Sequence, residues 1–130
     1  MLERAQLEEL ATKVVDAAFE VHQRLGVGLL ESAYELALCH ELHLRGIKFE
    51  PQALIRIQYK GIVLGSGFRC DILVEDEIIL EIKSVDALAA QHEAQLINYL
   101  RLSERGLGFL INFNVVMFSK GIKRRVVNLN

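Results

Sequence analysis

The amino-acid sequence predicts an α/β domain in which α-helices flank a mixed central β-sheet. The predicted elements follow one another as helix, helix, strands, helix and strands, an order typical of such layered domains. Hydrophobic residues make up 52% and charged residues 25% of the 130 positions, which is the composition of an ordinary globular protein. No internal repeat, low-complexity tract or interdomain linker is present. We therefore expect residues 1–130 to form a single domain with a sizeable core.

Two helices are predicted in the first part of the chain. Between residues 2 and 25, apolar side chains recur at intervals of three and four, which is the period of a helix with one buried side. Gly26 and Gly28 break this helix. A second helix is predicted over residues 30–45, and Gly46 provides its C-terminal stop.

Extended segments and a hairpin are predicted next. Pro51 separates two extended segments, and Lys60 with Gly61 supplies a turn. Residues 68–84 read FRCDILVEDEIILEIKS, two apolar runs joined by an acidic turn, and this pattern is typical of a hairpin. The extended segments that precede the hairpin are predicted at residues 48–50 and 54–59.

The last part of the chain is predicted to contain one helix and three strands. Asp86 is a suitable N-cap for a helix over residues 86–103. The residues after it are rich in Val, Ile and Phe, which favour strands, and Asn114, Lys120 and Gly121 interrupt them. The three strands are predicted at residues 107–113, 115–118 and 122–129.

The charge of the chain limits how it can contact other molecules. The formal net charge of −2 and the pI of ≈ 6.1 argue against a protein that coats nucleic acid through a broad basic surface. A metal-dependent enzyme is less affected, because a bound divalent ion adds positive charge where a phosphate must lie. The C-terminal tail is basic, and it either contacts phosphates or forms a solvated terminal strand. Its basic residues are Lys120, Lys123, Arg124 and Arg125.

The sequence also predicts where the protein resides. No apolar run approaches the roughly 20 residues of a membrane span, and the N-terminal residues carry charges in place of a signal-peptide core. We therefore expect a cytoplasmic protein without membrane contact. Cys39 and Cys70 are the only cysteines. Both are expected to be buried free thiols, since they lack the spacing of zinc ligands.

The predicted hairpin places an acidic and basic cluster on one of its faces. Side chains alternate along a strand, so Glu81 and Lys83 point the same way. If the turn is centred near Asp76, Asp71 faces Glu81 with Cβ atoms about 5 Å apart. Two carboxylates at that separation repel unless a cation lies between them, and Mg²⁺ favours such oxygen ligands. The alternative is a surface hairpin whose charges face solvent, with Lys83 paired to Glu81.

Two further groups of residues are candidates for chemistry. Glu31 lies in the first turn of the second helix, where the helix dipole favours a carboxylate in any event, and from which it can reach the end of the sheet. On the third helix, spacing by three and four places several polar side chains beside the core. They either line a polar cleft or touch solvent at the helix edge. These residues are His92, Gln95 and Tyr99, which share a face with Leu88 and Leu96.

Three motifs together resemble a known family. Asp71, followed after nine residues by Glu81-Ile82-Lys83, resembles the D…(D/E)xK signature of the PD-(D/E)XK nuclease superfamily. Residues 28–34, GLLESAY, match the GxxExxY pattern that names a small bacterial and archaeal family of that superfamily. Gln95 and Tyr99 match the QxxxY motif of its RecB-type nucleases. The one departure is Cys70, where the superfamily name has Pro.

The resemblance implies a restriction-endonuclease-like core and a metal-dependent nuclease. Lys83 would position the attacking water and stabilise charge on the phosphate. Gln95 and Tyr99 would orient the site or touch the nucleic-acid backbone. Nucleic acid, with DNA as the first choice, is the implied partner, and a homodimer is expected because small nucleases of this fold often act as dimers. The implied ligands of Mg²⁺ or Mn²⁺ are Glu31, Asp71, Glu81 and the backbone carbonyl of Ile82.

Three functions from different classes remain open on the sequence. The first is a metal-dependent deoxyribonuclease or ribonuclease, which the filled motif positions favour. The second is a nuclease-fold module that binds nucleic acid or a partner protein without useful turnover, which the acidic pI and the small size favour. The third is a structural protein whose hairpin charges form only surface ion pairs, which contribute little energy when exposed.

Overall fold

The structure is a computed structural model that describes residues 2–65 and 68–128. It confirms the predicted α/β fold with a mixed sheet flanked by helices. Its elements in chain order are α1 (Arg4–Leu25), α2 (Glu31–Leu44), β1 (Phe49–Leu54), β2 (Gln58–Tyr59), β3 (Ile62–Val63), β4 (Arg69–Val74), β5 (Ile78–Lys83), α3 (Ala90–Leu102), β6 (Leu107–Asn112), a 3₁₀ turn (Phe118–Lys120) and β7 (Ile122–Val126).

Five strands form the central sheet in the order β1-β4-β5-β6-β7. Only β5 and β6 are parallel among these neighbours. A parallel pair needs a crossover connection, and α3 provides it. β2 and β3 form a separate hairpin around the predicted turn at Lys60 and Gly61. The β4–β5 hairpin therefore lies in the middle of the sheet, with α3 following directly from its second strand.

The two faces of the sheet bury separate cores, as the predicted alternation along β5 requires. Ile78, Leu80 and Ile82 pack on the face covered by α1 and α2. Ile79 packs on the opposite face against Leu96 of α3. The charged positions of β5, which share a face with Ile79, therefore lie on the α3 side of the sheet.

The loop between α1 and α2 is held by a buried tyrosine. Tyr34 stacks on Phe113 with ring centroids 4.8 Å apart. Its hydroxyl donates to the carbonyl of Gly26 at 2.6 Å and accepts from the backbone N–H of Leu29 at 3.3 Å. The tyrosine of the GxxExxY pattern is thus a structural residue here. It fixes the loop that leads into Glu31.

Four predicted elements differ from the structure. β1 runs continuously through Pro51, since β1 is an edge strand, where a missing N–H is tolerated. α3 begins at Ala90 and not at Asp86, because the imidazole Nδ1 of His92 accepts the backbone N–H of Ala89 at 3.1 Å and so satisfies the helix start.

The predicted strand over residues 115–118 is absent; residues 115–117 form a bend that leads into the 3₁₀ turn. Gly121 follows at a close approach, since a Cβ atom would lie 2.2 Å from the carbonyl oxygen of Asn112. The last strand begins as predicted at Ile122 but ends at Val126. Position 129, the predicted end of that strand, lies outside the described residues.

β1 and β4 both change face at the same place. Phe49 packs on the α1–α2 side, whereas Ala53 packs on the α3 side. In β4, Cys70 packs on the α3 side and Ile72 on the other. Residues separated by an even number of positions share a face in a regular strand, so the alternation breaks in both strands. In β1, Gln52 lies between Phe49 and Ala53, and its φ of 49° is left-handed.

Candidate active site

The hydrogen-bond ladder between β4 and β5 ends where the candidate site begins. The hairpin turn is centred at Asp76 as predicted, and the paired positions run from Val74 with Ile78 to Ile72 with Leu80. One residue further, the carboxylate of Asp71 takes the place of a backbone acceptor. The N–H of Ile82 donates to Asp71 Oδ2 at 2.7 Å.

Beyond Ile72 and Leu80, β4 and β5 are no longer paired, and we call the place between them the opening of the sheet. Main-chain groups at the end of β5 face this opening. The N–H and C=O of one strand residue point to the same neighbour. Because the N–H of Ile82 faces Asp71, its carbonyl faces the same opening. The carbonyl of Lys83 points the other way, toward β6, and accepts the N–H of Phe113 at 3.0 Å.

Glu81 is buried, with 6% of its surface exposed. Among the described residues, its Oε1 atom has no hydrogen-bond partner. Burial, and after it the charge of Asp71, raises the pKa of Glu81 to about 8, although Lys83 opposes the shift. The alternative of a hairpin whose charges face solvent is therefore wrong for Glu81. Without a cation, this carboxyl is largely protonated at neutral pH.

Lys83 is half-buried at the end of β5. In the part of the chain that the structure describes, no ion pair joins Lys83 to Glu81. Its charge is nevertheless near enough to stabilise the ionised form of Glu81. The two residues share a face of β5, as predicted, and the lysine does not serve as a contact partner that would neutralise the carboxylate.

The structure adds two residues that the sequence reasoning missed. Glu35 of α2 is half-buried, and Gln52 of β1 donates from Nε2 to its two carboxylate oxygens at 3.0 and 3.2 Å. The same nitrogen lies 3.4 Å from Asp71 Oδ1. Burial raises the pKa of Glu35, the hydrogen bond from Gln52 opposes this, and the charges of Asp71 and Glu31 raise it further. Glu35 follows Glu31 by four residues, and this spacing could have identified it.

Glu31 is exposed in the first turn of α2. Within residues 2–65 and 68–128, it makes no hydrogen bond to Asp71 or Glu81. Its charge acts on Glu35, which lies one helical turn further along. The structure thus places Glu35, and not Glu31, beside the carboxylate of Asp71.

Gln95 and Tyr99 form one unit on α3. The side-chain nitrogen of Gln95 donates to the hydroxyl of Tyr99 at 3.1 Å. Tyr99 is buried, whereas Gln95 is exposed. The alternative in which these side chains touch solvent at the helix edge therefore holds for Gln95 and not for Tyr99. Both line a cleft of ≈ 680 Å³, a volume that accommodates a small ligand. Other residues of this cleft include Phe68, His92 and Asn98.

The segment after Lys83 is anchored by asparagine side chains and a serine. The amide of Asn112 accepts the N–H of Val85 at 3.1 Å and donates to its carbonyl at 2.9 Å. Ser84 donates to the carbonyl of Leu29 at 2.7 Å. Asn114 accepts the N–H of Gly28 at 3.2 Å. The end of β5 and the loop before α2 are therefore fastened together.

The basic C-terminal strand is engaged with the helices. Arg124 forms an ion pair with Glu8 of α1 at 2.7 Å, and Arg125 forms one with Glu93 of α3 at 3.0 Å. These contacts hold β7 to both helical layers. They favour a structural role for the two arginines over phosphate contact.

The donors at the opening fit a hard divalent cation. Among the described residues, no group of three or more His, Cys, Asp or Glu side chains is arranged to enclose a metal ion. Mg²⁺, however, is commonly held by one or two carboxylates, with waters completing its shell. A buried oxygen without a partner, as at Glu81 Oε1, is costly. A cation beside Asp71 and Glu81 would satisfy that oxygen and offset the repulsion between the two carboxylates.

Comparison with known proteins gives one match. A family model described as PD-(D/E)XK nuclease superfamily matches residues 8–125, which include every candidate residue discussed above. No curated protein and no solved structure matches the chain significantly. Over the described residues, no helix has the length and apolar character that a membrane span requires.

Proposed function

The chain belongs to the PD-(D/E)XK nuclease superfamily, and we propose that it is a Mg²⁺- or Mn²⁺-dependent nuclease that hydrolyses phosphodiester bonds of nucleic acid. One observation carries the proposal within this family. The buried Oε1 of Glu81 has no partner among the described residues, and it lies beside a second carboxylate where the sheet opens. A site built for a cation explains why such a costly arrangement is kept.

Asp71, Glu81 and the carbonyl of Ile82 are the groups that would hold the ion, and Glu31, one helical turn from Glu35, would complete or orient this set. A bound divalent ion supplies Lewis acidity toward the phosphate and lowers the pKa of a bound water. Asp71 is already oriented, because Oδ2 accepts the N–H of Ile82. Glu81 must lose its proton before it can act as a ligand.

Lys83 positions the attacking water and stabilises the negative charge that develops on the phosphate. Its half-buried location supports this role, since a cation in a partly dry site acts more strongly than one in water. Gln95 and Tyr99 line the cleft beside α3 and orient the nucleic-acid backbone. Their mutual hydrogen bond fixes the tyrosine hydroxyl beside the cleft.

Further assignments belong to the same proposal. The GLLESAY segment at residues 28–34 supports placement in the GxxExxY family within the superfamily. DNA is the proposed substrate, a homodimer the proposed assembly and the cytoplasm the proposed location. The single candidate site among the described residues supports the dimer, because two sites allow both strands to be cut in one encounter.

The proposal is tested with wild type and Lys83→Ala on labelled single- and double-stranded DNA and RNA, with Mg²⁺, Mn²⁺ or EDTA. We expect metal-dependent cleavage that falls at least about 100-fold in Lys83→Ala, because a charge-stabilising group of the transition state is lost. Lys13→Ala is the matched control, since Lys13 is an exposed lysine of α1 paired with Glu9.

Two outcomes would contradict the proposal. Cleavage that persists in EDTA would exclude the metal-dependent reaction. Absence of cleavage on every substrate, in a folded protein, would leave a nuclease-fold module that binds nucleic acid or a protein without turnover.

A further inference from the structure

We propose that Gln52 is a positioning residue that fixes the carboxylate of Asp71 by linking it to Glu35. The inference rests on the proposed nuclease function. The Nε2 atom of Gln52 lies 3.0 and 3.2 Å from the two carboxylate oxygens of Glu35 and 3.4 Å from Asp71 Oδ1. One amide group thereby connects α2, the edge strand β1 and the central strand β4.

A neutral amide suits this position for a chemical reason. An ionised carboxylate only accepts hydrogen bonds, so Glu35 and Asp71 cannot bond to each other when both are charged. The amide nitrogen has two hydrogens and can serve both carboxylates without adding charge. A lysine there would compete with a metal ion, whereas glutamine leaves the negative charge of the site intact.

Gln52 completes the orientation of Asp71. Oδ2 accepts the N–H of Ile82 from one side, and Oδ1 faces the amide of Gln52 from the other. Each carboxylate oxygen retains a further lone pair. The two contacts fix the plane of the carboxylate and leave it able to bind another group.

The backbone of Gln52 is adapted to this task. Its φ of 49° is a conformation that residues other than glycine adopt only when the surrounding structure imposes it. Pro51 restricts the chain before it, and Arg69 donates to the carbonyl of Gln52 at 3.3 Å. At this point β1 and β4 change face. The left-handed residue therefore sends its side chain toward Glu35 and Asp71 while both strands continue.

A purely structural role makes a different prediction. Gln52 is exposed and adds nothing to either hydrophobic core. If it served only to support this backbone conformation, glycine would be the better residue, because glycine adopts positive φ without steric strain. The side-chain amide of Gln52 is therefore needed only if the activity depends on the orientation of the Glu35 and Asp71 carboxylates.

Gln52→Gly separates the two roles. The variant retains the backbone conformation and removes the amide. We expect an unchanged or higher melting temperature, a kcat about 10-fold lower and about 10-fold more Mn²⁺ needed for half-maximal cleavage, the effect typical of losing a residue that orients a metal ligand. Glu104→Gly is the matched control, since Glu104 also has a positive φ, of 60°, and follows α3. Wild-type cleavage and metal dependence in an active, folded Gln52→Gly would overturn the proposal and leave the nuclease function standing.

A second measurement does not depend on activity. In the ¹H–¹⁵N spectrum, the side-chain amide signals of Gln52 are identified by their loss in Gln52→Gly. Glu35→Gln is expected to shift them, whereas Glu41→Gln, on the same helix but paired with Arg45, is not. The link between Gln52 and Glu35 would be overturned if the Gln52 amide signals lay at the chemical shifts of a solvated glutamine and did not move in Glu35→Gln. A wild type that cleaves nothing would refute the nuclease function, and this spectrum would still decide whether the link exists.

Discussion

The two ends of the β4–β5 hairpin both carry acidic residues, but their environments differ. At the turn, Glu77 accepts the N–H of Leu2 at 2.9 Å and Glu75 accepts that of Lys48 at 3.0 Å. Asp76 forms an ion pair with Arg105 at 2.7 Å. Each acidic side chain of the turn therefore has a donor that stabilises it.

At the other end, carboxylates lie close to one another. Glu81 is buried beside Asp71, Glu35 feels the charges of Asp71 and Glu31, and the pKa values of Glu81 and Glu35 are raised. At the turn, by contrast, every acidic side chain of the hairpin has a hydrogen-bond donor or an arginine as its partner. The opposite end thus stores an unfavourable interaction, and such strain is characteristic of functional sites.

The largest difference between the two ends should appear in activity. Glu81→Gln is expected to lower metal-dependent cleavage at least about 100-fold, because it removes a proposed metal ligand and the charge that would attract the ion. Glu75→Gln at the turn should leave the cleavage rate within about two-fold of wild type, since it retains an oxygen acceptor for the N–H of Lys48. Rates of cleavage with Mn²⁺ test both variants. Equal activity of Glu81→Gln and wild type would remove the functional contrast between the ends.

The pH dependence of stability should also distinguish the two ends of the hairpin. The pKa of Glu81 is about 8 in the folded protein and near 4.5 when the chain is unfolded. Between these values the folded state binds more protons, so the free energy of unfolding falls as pH rises and levels off above pH 8. In the presence of EDTA, we expect the free energy of unfolding to fall by about 2 kcal/mol between pH 6 and 8.5 because of Glu81.

Denaturant unfolding of wild type and Glu81→Gln at the two pH values measures this loss. Subtracting the variant removes the contribution of other titrating groups. An equal pH dependence in the two proteins would show that Glu81 is ionised without cost and that the site is not strained.

The smallest expected effect lies at the turn. Arg105→Ala removes the ion pair with Asp76 and a hydrogen bond to its carbonyl at 3.1 Å. Because Asp76 is 83% exposed, the loss should be at most about 1 kcal/mol of unfolding free energy. Cleavage activity should not change. A large loss of activity in a folded Arg105→Ala would show that the two ends are coupled.

Local sequence patterns predicted much of this molecule because the relevant forces are local. The period of apolar residues identified α1 and α2, and the acidic turn fixed the register of the hairpin that carries Asp71 and Glu81. Glu35 was missed although its spacing from Glu31 already placed both on one side of α2. That signal was present in the sequence.

Other features depend on tertiary contacts that no local pattern contains. Pro51 lies inside a strand because that strand is at the edge of the sheet. Asp86 does not start α3, because Asn112, which is distant in sequence, holds the backbone of Val85 in the preceding segment. The left-handed conformation of Gln52 arises where β1 meets β4 and α2. Its sequence neighbours do not specify it.

Calorimetric titration of Mn²⁺ into wild type and Glu81→Gln tests directly whether Glu81 is a metal ligand. At pH 7, in two buffers of different ionisation enthalpy, we expect the wild type to bind Mn²⁺ and to release close to one proton per ion, because Glu81 must ionise to bind it. Glu81→Gln should bind at least about 10-fold more weakly and release no such proton. Equal binding by the two proteins would show that Glu81 is not a metal ligand, and no binding to a folded wild type at millimolar Mn²⁺ would show that the site does not hold this ion.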